Sequence, residues 1–256
     1  MKLVEVSSNE PVFKGKASSV KELILSIRDG RFTLDGSHLV VAGNFLLVSN
    51  QLTSLIGCPQ VIKGSFSCRH NLLKTLEGGP REVDGNYDCS YNELVFLNGA
   101  PRHIKGDFWC DDNPLPSLEG GPELVDGSYD CSRTKLTSLV GCARIVKGNL
   151  LAGNKHLASL EGGPRFVGKK AFFQFCKSLT SIKNIESHLP QARGLSLEGT
   201  PISGPLLGLL RVKGLRQVEL DDYKLMSILN KYLPEGNLLA CALELIKAGY
   251  EEQAKL

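Results

Sequence analysis

Apolar positions along this chain recur with a step of 21 residues. Leu34, Leu55, Leu76, Leu97, Leu118, Leu139 and Leu160 fall in phase, as do Leu52, Leu73, Leu94, Leu115, Leu136 and Leu157. Glycines keep the same step at Gly43, Gly64, Gly85, Gly106, Gly127 and Gly148, and cysteines at Cys68, Cys89, Cys110 and Cys131. The unit reads G-x-(F/Y)-x-C-x-x-N-x-L-x-x-L-x-G-x-P-x-x-(V/I)-x. A fixed period of this length is the mark of stacked repeats, each too small to bury a core alone. The alternation inside the unit predicts a short strand with Phe66, Tyr87, Phe108 and Tyr129 inward, followed by the four cysteines. Parallel strands stacked about 4.8 Å apart turn such positions into columns.

Asn50, Asn71, Asn92 and Asn113 occupy the position where the chain leaves the strand. An amide side chain there can bond backbone groups of its own turn and the next, which a buried bend needs because it has no sheet partner. Thr134 and Lys155 break this column, with Asn154 one position away as a substitute. The stretch "RFVGKKAFFQFCKSLTSI" needs one extra residue to bring Leu179 and Ile182 into phase, so the coil is expected to change shape there. Gly85 and its equivalents predict unusual backbone angles or close backbone approach at the strand entrance.

The phrase "LEGGPREVDGNYDCSYNEL" returns 42 residues later as "LEGGPELVDGSYDCSRTKL", with a differently charged copy between. The column before each repeated glycine therefore alternates: Lys63, Asp84, Lys105, Asp126, Lys147. Identical repeats would set like charges one strand spacing apart, and alternation replaces that repulsion with weak attraction. A second column, Cys58, Gly79, Ala100, Gly121, Cys142 and Gly163, admits only small residues, as a tight turn packed on its neighbours requires.

Both ends carry helical signals, expected as caps because a solenoid otherwise exposes its core. At the front, Ser18 or Ser19 can serve as N-cap, with Leu23, Ile24 and Ile27 on one face and Gly30 as a stop. At the back, one helix is predicted to end before Pro234 and a second to start near Asn237, with Leu225, Ile228, Leu229, Leu239, Leu245 and Ile246 as apolar anchors. The expected organisation is an N-terminal cap over 1–33, a repeat solenoid over 34–182, irregular terminal repeats over 183–220 and a helical cap over 221–256.

A formal charge of +3, from 30 basic and 27 acidic residues, is too small to make nucleic acid or an anionic membrane the default partner. No apolar run has the length of a signal peptide or a membrane span, so the expectation is a soluble cytoplasmic protein. Four cysteines in a column span about 14 Å, whereas zinc needs its ligands converged on a point. They are read as small buried hydrophobes, and no metal or cofactor is expected. The five histidines show no ligand spacing, and no P-loop or nucleophile elbow occurs, so catalysis is not expected.

Between the inward aromatic and the cysteine of each strand sits an outward column: Leu46, Ser67, Asp88, Trp109, Asp130, Leu151. The only tryptophan stands between two aspartates. Asp107, Asp111, Asp112 and Tyr91 flank it, with Arg69, His70 and Arg133 toward the margins. An aromatic among carboxylates suits a lysine or arginine of a partner, through cation–π attraction and charge-assisted hydrogen bonds. The expected site is thus a protein-binding patch of Trp109, Asp88, Asp130, Asp107, Asp111, Asp112, Tyr91, Arg69 and Arg133; the plainer alternative is that Trp109 shields neighbouring rungs and the aspartates form a solvated face. Arg81, Arg102, Arg144 and Arg165 form a column on the turn side, but Glu82, Glu123, Asp84 and Asp126 interrupt its field, which leaves a nucleic-acid-binding solenoid as the weaker alternative.

With its apolar residues two apart on either side of an Asn or Cys position, the unit resembles the leucine-rich repeat pattern L-x-x-L-x-L-x-x-N/C-x-L over residues 34 to 182. That resemblance implies an α/β repeat solenoid, a right-handed coil of 21-residue repeats with a parallel sheet on its concave face. The phrases "LTSLIGCPQVIKGSFSC" and "LEGGPELVDGSYDCS", with the tail from "PISGPLLGLLRVKGLRQVEL", are similar to leucine-rich repeat proteins encoded by tailed bacteriophages. This likeness implies a cytoplasmic, non-enzymatic scaffold that engages a bacterial host protein of basic or mixed surface and can thereby inhibit it, with a component of the phage particle or a host-derived scaffold as alternatives.

Overall fold

The computed structural model describes residues 33–35 and 38–256, so the helix expected over 18–30 lies outside the described residues. The chain is a repeat solenoid of parallel strands. One ladder is a nine-stranded sheet running from Phe45–Leu46 through Phe66–Ser67, Tyr87–Asp88, Phe108–Trp109, Tyr129–Asp130 and Leu150–Leu151 to Lys170–Phe172, Gly194–Ser196 and Gln217–Glu219. Its register follows the sequence step, with Phe66 opposite Tyr87, Tyr87 opposite Phe108 and Phe108 opposite Tyr129.

A single sheet was expected, and a second ladder is present. It consists of two four-stranded sheets, one from Thr33–Asp35 to Glu82–Val83 and one from His103–Ile104 to Phe166–Val167, parallel throughout except that Thr33–Asp35 pairs antiparallel with His38–Val41. These strands fall on the (V/I) position of the unit: Ile62, Val83, Ile104, Val125, Val146 and Val167 point inward and are buried. β-Branched side chains suit a half-buried strand. The core lies between the two ladders and the leucine-bearing turns.

Inside, the aromatic column packs ring on ring, with centroids 4.9 Å apart for Phe66 and Tyr87 and 5.1 Å for Phe108 and Tyr129. The small-residue column alternates with the aromatic one. A Cβ on Gly79 would lie 2.9 Å from the Leu76 carbonyl oxygen and 3.3 Å from the Tyr87 hydroxyl; one on Gly121 would crowd Leu97 Cδ1 at 2.9 Å and the Leu118 carbonyl oxygen at 3.0 Å, with the Tyr129 hydroxyl at 3.6 Å. Where the ring is Phe66 or Phe108, the corresponding residue is Cys58 or Ala100. Each extra phenolic oxygen is thus matched by a missing Cβ, a size alternation superposed on the charge alternation. The charges also meet: Lys105 lies 2.5 Å from Asp84, and Lys147 lies 2.8 Å from Asp126.

The asparagine column forms a buried ladder. Asn92 accepts from the Leu73 amide at 3.1 Å and donates to the carbonyls of Cys68 and Cys89. Where the column breaks, Thr134 donates to the Cys131 carbonyl while Asn154 accepts from the Thr134 amide and donates to Cys131. Two residues thus share one asparagine's work. The repeated glycines serve close approach of turns, since a Cβ on Gly85 would lie 2.9 Å from the Ser65 amide nitrogen. Positive φ belongs instead to the other glycine column, as at Gly78 with φ 81°.

Register holds at 21 as far as Ala171 opposite Leu150; then Leu195 stands opposite Ala171 and Val218 opposite Leu195, so the coil widens where the sequence frays. Helices Tyr223–Tyr232 and Leu238–Lys247 follow, with Asp222 and Asn237 as N-caps. Leu225, Ile228, Leu229, Cys241 and Leu245 bury, whereas Leu239 and Ile246, expected as anchors, face solvent. Asn230 receives the Val218 amide at 2.7 Å and donates to the Val218 carbonyl at 2.9 Å, so it satisfies the last strand as a further strand would.

Candidate functional site

The nine-stranded sheet presents three outward columns. The entrance column, Asn44, Ser65, Asn86, Asp107, Ser128 and Asn149, is a second polar ladder in which each side chain accepts the backbone N–H of the next rung. Asp107 belongs to it and accepts from the Ser128 amide at 2.6 Å. Its carboxylate thereby does the job of Asn or Ser while adding charge at the margin of the face.

In the central column Trp109 is half-buried, not fully exposed, and its rung neighbours are Asp88 and Asp130. Asp88 accepts from the Ser90 hydroxyl at 2.6 Å and faces Arg69 at 4.0 Å; Asp130 accepts from the Ser132 hydroxyl at 2.6 Å. These bonds orient both carboxylates beside the indole.

The exit column carries Arg69, Ser90, Asp111, Ser132, Gly153 and Gln174. Asp111 is buried and meets Arg133 at 2.5 Å, while Asp112 meets the same guanidinium at 2.7 Å. Burial first, and then Asp130, push the Asp111 carboxyl up to about 7 against the opposing pull of Arg133. Next to this column, His70, Tyr91, Asp112, Arg133 and Phe175 all have φ between 52° and 57°, a left-handed conformation that costs a non-glycine residue roughly 1–2 kcal/mol. Tyr91 stacks on His70 at 4.4 Å and lies 5.9 Å from the Arg69 guanidinium carbon.

Gly153 opens the face. Without a side chain between Ser132 and Gln174, a groove of about 650 Å³ forms, walled by Leu151 and Phe172 on one side and Arg133, Lys155 and Phe175 on the other, with Asp130 at its end. Phe175 is 64% exposed. The structure therefore brings Trp109, Asp88, Asp130, Asp112 and Arg133 onto one face, with Asp111 buried and paired to Arg133, Tyr91 and Arg69 toward the edge and Asp107 at the entrance. It adds Leu151, Phe172, Phe175 and Lys155, of which sequence reasoning had set only Leu151 on the outward face and had placed Lys155 at the asparagine position. The signal was the glycine at position 153 in an otherwise side-chain-bearing column.

Cys68, Cys89, Cys110 and Cys131 are fully buried, and burial raises their thiols well above the usual range, which makes them poor nucleophiles. Among the described residues no group of three or more His, Cys, Asp or Glu could hold a metal ion, and no helix is long and apolar enough to cross a membrane. No protein-family model, curated protein or solved structure matches the chain.

Proposed function

We propose that the chain is a non-enzymatic protein-binding scaffold of the leucine-rich-repeat kind, a right-handed coil with the nine-stranded sheet concave and the terminal helices as its cap. Its partner, in this reading, is a bacterial protein of basic or mixed surface, bound in the cytoplasm of a phage-infected cell; where that partner is an enzyme, binding blocks it. The supporting observation is the continuity of Trp109, flanked by Asp88 and Asp130, with the apolar groove of Leu151, Phe172 and Phe175. A partner lysine or arginine meets the indole face and the two carboxylates, while a neighbouring apolar side chain fills the groove over Gly153. Such a pairing of an aromatic anchor with an adjacent pocket is how a few residues carry most of an interface's energy.

The test is a quantitative pull-down from bacterial lysate with wild-type chain and the variants Trp109→Ala and Phe175→Ala, each confirmed folded by its thermal transition. One protein lost with both variants supports the reading. Equal retention by both removes this face from the function, and recovery of the chain in purified phage particles with no host partner would replace the reading with that of a particle component.

A further inference from the structure

Over the middle turns cations are met by acids on neighbouring rungs, as where Asp84 lies between Lys63 and Lys105 or Glu123 lies 3.1 Å from Arg102. The last turns reverse this. The inter-turn amide bonds of the glycine column run from Gly127 to Gly148 to Lys169, then to Arg193 and on to Arg216. At the sixth turn the order Lys147–Gly148 becomes Gly168–Lys169, which moves the cation into the glycine rank. A Cβ on Gly168 would lie 2.1 Å from the Lys147 carbonyl oxygen, so the close-approach role has passed to Gly168 and the next position is free for a side chain.

Three exposed cations thus stand on successive rungs, about 4.8 Å apart by strand spacing. Arg144 and Arg165 form a second like-charged pair four positions earlier in the unit, with Arg165 just before the Phe166–Val167 strand, and Lys213 lies three residues before Arg216. Among the described residues none of these six side chains has an ion-pair or hydrogen-bond partner. The nearby Glu219 is committed to Lys170. Like charges on adjacent rungs are unfavourable; the other such pair, Arg81 and Arg102, is relieved by Glu123 on the next rung, 3.1 Å from Arg102, whereas no acid follows here, and an external polyanion would supply the missing charge. No exposed large apolar side chain lies in 165–169, 190–193 or 213–216, and Ile145 beside Arg144 is the single exposed one next to these cations among the described residues. A protein interface is built round an apolar anchor, whereas a phosphodiester backbone is held by charge alone.

We infer that Lys169, Arg193 and Arg216, with Arg144, Arg165 and Lys213, form a ridge that binds the phosphate backbone of a nucleic-acid duplex without reading its sequence. The ridge is distinct from the Trp109 face, and its modest contribution to a near-neutral total charge hid it in the composition.

The experiment is fluorescence anisotropy of a labelled DNA duplex of arbitrary sequence against the full chain across a salt series, with a poly-glutamate peptide as competitor. Binding in the micromolar range at low salt is expected, to weaken linearly in log–log form. The triple variant Lys169→Gln/Arg193→Gln/Arg216→Gln should lower the salt slope by about 2–3, since each phosphate contact contributes about 0.9, with thermal stability equal to or above wild type because repulsion is relieved. Trp109→Ala should bind duplex normally, which separates this ridge from the protein-binding reading. Undiminished binding by the triple variant overturns the inference, as does absence of duplex binding at low salt; capture of poly-glutamate in place of duplex overturns it in favour of an acidic protein partner.

Discussion

Single atoms decide much of this fold. The Tyr87 and Tyr129 hydroxyls are buried without a hydrogen-bond partner, and an unpaired buried polar group is costly. Tyr87→Phe should therefore be neutral or up to about 1 kcal/mol more stable by chemical denaturation. Gly79→Ala should cost about 1–3 kcal/mol through overpacking, and most of that loss should vanish in the Gly79→Ala/Tyr87→Phe double variant, because Phe108 already coexists with Ala100. Asn92→Ala strands several buried backbone groups at once and should cost about 3 kcal/mol, seen as a drop in Tm. Asp111 supplies the pH dependence. Its folded value of about 7 lies above the ordinary unfolded value near 3.9, so the folded chain holds the proton across that window and stability falls as pH rises through it. Asp111→Asn should raise Tm by about 3–6 °C at pH 8 and leave it unchanged at pH 4.

The strand is the element whose placement the sequence made most legible, because inward positions repeat with a fixed step and one face is fully buried. The aromatic, cysteine and asparagine columns were readable for that reason, and the two C-terminal helices were readable from Pro234 and Asn237, whereas the Asp222 cap was seen only in the structure. The second ladder was less legible: its strands are two residues long, too short for alternation to show, and only the (V/I) position marks them. The entrance ladder was readable in principle, since Asn, Ser and Asp keep the step, but three residue types obscure one shared role. Outward residues carry no such constraint. Trp109 was found by its column, whereas Phe172 and Phe175 lie past the point where the step slips, and the groove over Gly153 depends on an absent side chain. At the terminal element, Asn230 takes the place of a further strand. Asn230→Leu should leave Val218 unpaired and raise amide exchange across Gln217–Glu219 by tenfold or more, measured by mass spectrometry, with little change at Phe66–Ser67.

At the scale of the whole molecule, a one-dimensional stack separates two surfaces that differ in chemistry. The acidic and aromatic face spans the middle turns, and the unpaired cations rise along the corner of the last ones. Because each turn contacts only its neighbours, changes on one surface leave the other standing. The central claim is that the face from Asp88 to Phe175 is where a protein partner docks. The most direct measurement is a hydrogen-exchange and cross-linking footprint of the chain with the partner it retains from lysate. Protection and cross-links centred on Trp109, Asp130, Lys155 and Phe175, and lost in Trp109→Ala, are the predicted result; a footprint confined to the turns or to helices Tyr223–Tyr232 and Leu238–Lys247 would contradict it.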